Sequence, residues 1–89
     1  MQGTSLTLTG RLSAQTILPW ILHRGQLLDL NGWVERKDEG TLFIVLAGPE
    51  ALIDAMEAAC SLGPAEAMVE TITRGPYTFN GQPGRFTAL

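Results

Sequence analysis

One cysteine, one histidine and one lysine in 89 residues leave little of the usual side-chain chemistry of metal and nucleophilic sites. A single thiol, Cys60, forbids an intramolecular disulfide, and a reducing cytoplasm follows as the simplest compartment. Cys60 stands on an apolar helical stripe with Met56 and Ala59, where a buried structural thiol is expected; a reactive one needs a neighbouring positive charge. His23 has no cysteine or acid at ligand spacing, so neither residue builds a metal site and no cofactor is expected. Basic side chains are also scarce, six against nine acidic ones for a formal net charge of −3, with no run of Lys or Arg. A nucleic-acid partner is excluded on that ground. Long apolar runs are missing too. Ile17 to Leu22 and Leu42 to Ala47 fall far short of the roughly 20 residues of a membrane span, and no signal-peptide pattern opens the chain.

The residues present read as one compact domain with a single core, since this length leaves no room for a second. Ser5 to Leu12 alternates, with Leu6, Leu8 and Leu12 on one face, the period of a half-buried strand. Thr16 is a candidate N-cap for a helix from Ile17 to about Leu28, with Pro19 in its first turn, where a missing N–H leaves no bond unmade. Gly25 inside that helix predicts close packing on a neighbour, because glycine costs up to about 1 kcal/mol there relative to alanine. Asn31-Gly32 is expected to end the helix. Trp33 to Arg36 reads as a strand, Lys37-Asp38-Glu39-Gly40 as a turn, and Thr41 to Ala47 as the next strand.

Gly48-Pro49-Glu50 opens a second helix, with proline expected at its first position and Leu52, Ile53, Met56, Ala59 and Cys60 as its inward stripe, and Gly63-Pro64 stops it. Ala67 to Thr73 is a fourth strand, Gly75 to Gly84 the loosest segment, and Phe86 to Leu89 a short edge strand. The order strand, helix, strand, strand, helix, strand predicts an α+β fold of the ferredoxin-like split β-α-β plan, βαββαβ, an antiparallel sheet with both helices on one face.

Gly10-Arg11-Leu12 closing the first strand, Gly32-Trp33-Val34 at a fixed distance beyond it, the acidic turn Asp38-Glu39-Gly40, Gly48-Pro49, Gly63-Pro64, Ala67-Met68-Val69 and a late Phe86 together resemble the acylphosphatase family, over nearly the whole chain. The resemblance implies a hydrolase for acyl phosphates. Its machinery would be a glycine-rich loop after the first strand whose backbone N–H groups face the phosphate, an arginine closing that loop, and an asparagine on the second strand that holds the attacking water. Such parts are what phosphoryl transfer needs, namely positioning and charge stabilisation.

At those positions this chain departs from the pattern. The loop reads Ser13-Ala14-Gln15-Thr16-Ile17-Leu18, so Leu18 takes the place of the arginine and Ile17 that of a phenylalanine, while Ala14 and Thr16 replace glycines. A β-branched Thr is a poor substitute where the backbone needs positive φ. Arg36 stands where the asparagine is expected. Loss of a phosphoryl-site arginine costs about 10³- to 10⁵-fold in rate and loss of a donor about 10²- to 10³-fold, without simple additivity.

The expected function is therefore a catalytically silent acylphosphatase-like domain that binds a small anionic ligand or a protein partner through Ser13, Ala14, Gln15, Thr16, Ile17, Leu18, Trp20 and Arg36. The alternative is an active acylphosphatase in which Arg36 is the phosphate ligand. A second alternative is an oligomerisation module with an open sheet edge. Arg11, Arg36 and Arg74 would form a positive patch if their strands were neighbours. Glu35, Lys37, Asp38 and Glu39 read as a charged hairpin end that discourages edge-to-edge association.

Overall fold

The computed structural model describes all of residues 1–89. Five strands and two helices follow one another as β1 (Gln2–Arg11), α1 (Ile17–Leu27), β2 (Asn31–Asp38), β3 (Thr41–Ala47), α2 (Glu50–Leu62), β4 (Met68–Thr78) and β5 (Thr87–Ala88). The strands form one sheet in the order β4-β1-β3-β2-β5, antiparallel throughout except for the short parallel pairing of β2 with β5. No helix is long and apolar enough to cross a membrane.

Period-two patterning decides which face meets the helices. Leu6 and Leu8 of β1 pair with Ile44 and Leu42 of β3, and Val34 of β2 pairs with Ile44 from the other side, so these side chains share one face. They join Ile17 and Ile21 of α1, Ile53, Met56 and Cys60 of α2, and Leu12, Leu30, Leu46 and Phe86 in the principal core. Val45, Ala47 and Phe79 are buried on the opposite face with Trp33, Phe43 and Tyr77 packed around them. There the rings meet edge to face, Trp33 on Phe79 at 5.5 Å and Tyr77 on Phe79 at 4.9 Å between centroids.

Two glycines of the family pattern have steric reasons. At Gly32 (φ +128°) a side chain would drive into the Val45 carbonyl oxygen across the β2–β3 pair. At Gly10 (φ +149°) it would meet the Met68 carbonyl at the irregularity between Thr9 and Gly10, where β1 slips register against β4.

Several boundaries move from their expected places. β2 begins at Asn31, so Asn31-Gly32 opens a strand instead of ending the helix. Asp29 makes the reversal: at φ +56° it lets Leu30 N–H reach Gly25 O (3.0 Å) and its own N–H reach Gln26 O (3.0 Å), a Schellman end with Asp in the left-handed position glycine usually takes. β4 runs to Thr78, so Gly75 to Thr78 are strand and not loop. Pro76 is tolerated because β4 is an edge strand. Pro49 is the N-cap of α2 and Glu50 its first helical residue. β1 starts early, at Gln2.

Gly25 packs as expected, and the neighbour is Phe86. A methyl group at Gly25 would lie 2.6 Å from Phe86 Cγ. Gly25→Ala is expected to destabilise the protein by about 1 to 3 kcal/mol through overpacking, against a gain of up to about 1 kcal/mol in helix propensity, as a lower urea midpoint at unchanged slope. Cys60 is 1% exposed, and burial, aided by the Glu57 charge, pushes its thiol from 9.0 up to about 12. Since the folded form holds its proton more tightly than the unfolded one, this contribution to stability is complete below pH 9 and is lost progressively towards pH 12. A thiol reagent should leave native Cys60 unmodified at pH 8, and Cys60→Ala should flatten the fall in stability between pH 9 and 12 relative to wild type.

Candidate functional site

The antiparallel pairing of β1 with β3, from Thr4↔Leu46 to Thr9↔Thr41, sets the end of β1 and the loop after it beside the β2–β3 hairpin, and Gly10 N–H donates to Gly40 O at 3.1 Å just beyond the ladder. The hairpin tip is itself held by Asp38 Oδ1, which accepts from Gly40 N–H at 2.9 Å. Between loop and hairpin lies an open cleft of about 370 Å³, lined by Ser13, Gln15, Leu18, Arg36 and Glu39.

Arg36 enters it because of strand register. It pairs with Leu42, which pairs in turn with Leu8, so its side chain leaves the sheet on the helix-bearing face. Its Nη1 donates to the carbonyls of Asp38 (3.3 Å) and Glu39 (3.4 Å), which pins the guanidinium across the hairpin. Glu35, one residue earlier, points to the other face and pairs with Lys37 at 3.1 Å. Arg36 is thus the one basic side chain in the cleft, with Glu39 the one acidic side chain beside it.

The loop residues divide sharply. Ser13 and Gln15 line the cleft from exposed positions, and Leu18 lines it from a half-buried one, packed against the principal core. Ile17 is buried at 1% exposure and closes the core under α1. The Ala14 carbonyl accepts from Ile17 N–H at 3.3 Å, and Ala14 contributes nothing to the cleft lining. Thr16 stands at the N-cap of α1, but in right-handed helical geometry (φ −82°, ψ −14°) and with no side-chain cap bond. Its hydroxyl donates instead to Glu66 Oε2 at 3.2 Å, tying the loop to the segment between α2 and β4. Trp20 also lies outside the cleft, half-buried against the core with the Arg24 guanidinium 5.3 Å from its ring centroid.

Of the eight residues expected to form the site, the structure gathers Ser13, Gln15, Leu18 and Arg36, and adds Glu39. Glu39 was legible only as hairpin charge; the turn at Glu39-Gly40 was expected, but that it borders the loop before α1 depends on the pairing of β3 with β1. The three arginines do not converge. Arg74 lies at the level of Leu6, where Asp54 Oδ1 (2.7 Å), Glu57 Oε1 (2.9 Å) and Glu50 Oε1 (3.8 Å) of α2 surround it and raise its pKa further, chiefly through the bonds to Asp54 and Glu57. The hollow beside it, about 260 Å³, therefore carries no free positive charge.

A βαββαβ sheet with both helices on one face, and a strand-to-helix loop facing a basic residue on β2, define a two-layer α+β domain of the ferredoxin-like type. The acylphosphatase family model matches residues 5–88, and the chain belongs to the acylphosphatase family. An acylphosphatase of Rhodopseudomonas palustris is 34% identical over 87 residues, covering 92% of this chain and 88% of that protein. One of Rhodospirillum rubrum is 31% identical over 84 residues, covering 94% and 92%. Among solved structures, an acylphosphatase from Bacillus subtilis superposes with a TM-score of 0.90 over 100% of this chain and 99% of that one, at 21% identity, a likeness of fold.

The Arg36 bonds to the hairpin carbonyls are exposed to solvent. Arg36→Gln is accordingly expected to fold as wild type does, with a loss of about 1 kcal/mol or less in urea unfolding.

Proposed function

We propose that this chain is an acylphosphatase family member without acyl phosphate hydrolase activity, whose cleft binds a small anion at Arg36. The observation that carries the reading is the pair Leu18 and Arg36 on the walls of one cleft. An aliphatic side chain stands where the family pattern leads one to expect a phosphate-binding guanidinium. A guanidinium, which has no acceptor for a water proton, stands where an amide would hold the nucleophile. A donor-only group can hold an anion but cannot orient water through both a donor and an acceptor.

One observation favours a second reading, an active hydrolase with Arg36 as phosphate ligand: Arg36 faces the loop from the opposite wall, so positive charge has not left the cleft. Glu39 in the same cleft weighs against it, since a carboxylate opposes charge building on phosphoryl oxygens. Transition-state charge would also have to be met with no loop arginine, a deficit worth about 10³- to 10⁵-fold. A cytoplasmic setting belongs to the proposal and is supported by the lone, buried thiol.

Benzoyl phosphate decides between the two. Pure protein is expected to leave its hydrolysis at the uncatalysed rate. Turnover that disappears in Arg36→Ala would establish the second reading instead.

A further inference from the structure

We infer that the ligand of the Arg36 cleft is a small carboxylate with a short apolar tail, bound as a monoanion, rather than phosphate or a phosphate ester. The inference rests on the reading of the cleft as an anion site and adds the chemical class that fits it.

Charge comes first. Arg36 and Glu39 line the cleft together, so its formal charge sums to zero. The attraction of such a site for an anion rises in proportion to the anion's charge, while the cost of removing the anion from water rises with the square of that charge. A monoanion is therefore favoured over a phosphate dianion, which carries roughly two charges at neutral pH. The Arg74 hollow makes the contrast: three carboxylates there leave no attraction for either anion.

Donor geometry narrows the choice further. Nη1 of Arg36 is committed to two backbone carbonyls, which leaves the Nε–Nη2 edge, a planar two-donor fork that matches the two oxygens of a carboxylate. Among the cleft side chains, a third phosphoryl oxygen would find only exposed Ser13 and Gln15. The facing wall is Leu18, half-buried and backed by the principal core. It offers no donor, but it does offer apolar surface to an aliphatic tail. Substitution at this one position turns a phosphate-gripping wall into a hydrocarbon-contacting one.

Isovalerate, acetate and inorganic phosphate serve as probes in NMR titrations of the full chain at pH 7.5 and constant ionic strength, read at the Arg36 Nε–H and Leu18 methyl signals. Isovalerate should shift both saturably. Acetate, lacking the tail, should bind roughly fivefold more weakly or worse, and phosphate more weakly than isovalerate. Glu39→Gln should narrow the gap by strengthening phosphate more than isovalerate. Arg36→Gln should abolish the isovalerate shifts in a folded spectrum. Arg36→Lys, which keeps the charge without the fork, should weaken them. Phosphate binding tighter than isovalerate at Arg36 would overturn the carboxylate class while leaving the cleft an anion site. No saturable shift from any of the three anions overturns both. Isovalerate shifts that survive Arg36→Gln place the contact elsewhere and overturn the assignment.

Discussion

The fit of Phe86 into the notch left by Gly25 is the constraint on which the rest of the frame depends. Phe86 is 1% exposed and belongs to neither helix, yet it closes the principal core between α1 and the sheet. Its backbone is fixed on both sides: its N–H donates to Leu30 O at 3.2 Å, and its carbonyl accepts from Gln26 Nε2 at 3.1 Å. Gly84 O accepts from Gly32 N–H two residues earlier. The C-terminal segment thereby locks the end of α1 and the start of β2 together. The relative placement of those two elements sets the distance across which the loop before α1 faces Arg36. A glycine that weakens a helix locally is kept because the ring it admits organises both walls of the cleft.

Frame and chemistry separate cleanly along the chain. The glycines at 10 and 32 answer to backbone carbonyls of neighbouring strands, and this sheet needs them whatever the loop does. Leu18 and Arg36, by contrast, carry no such obligation. Leu18 contributes apolar surface to the core edge, and Arg36 bonds only to solvent-exposed carbonyls of its own hairpin. Substitution at these two positions changes what the cleft can hold while leaving the strand-to-strand contacts of the sheet in place.

Much of this was legible in the amino-acid order. Alternation in β1 placed Leu6, Leu8 and Leu12 correctly, and all three are fully buried; the inward stripe of α2 proved to be Ile53, Met56 and Cys60. What the order hid is tertiary. Asn31 reads as a helix-ending residue by its type, but Asp29 took the left-handed position and released Asn31 into β2. Gly75-Pro76 reads as a break, but an edge strand has one side free of ladder bonds and absorbed it. At the site, Thr16 had the composition of a helix cap, and its hydroxyl was drawn instead to Glu66, fifty residues on. Trp20 sat close in sequence to the loop and turned to the core and Arg24, while Glu39, on the expected hairpin turn, met the loop through the pairing of β3 with β1, which sets Thr41 beside the distant Thr9.

The central claim is that an intact acylphosphatase frame lacks hydrolysis only because of the residues on its two cleft walls. Its most direct test is to install the missing parts together, Ala14→Gly, Thr16→Gly, Leu18→Arg and Arg36→Asn, and to follow benzoyl phosphate by its ultraviolet absorbance. A folded variant that turns over substrate, where each wall changed alone does not, is the predicted result. A folded variant as inert as the uncatalysed reaction would contradict the claim and place the defect in the frame itself.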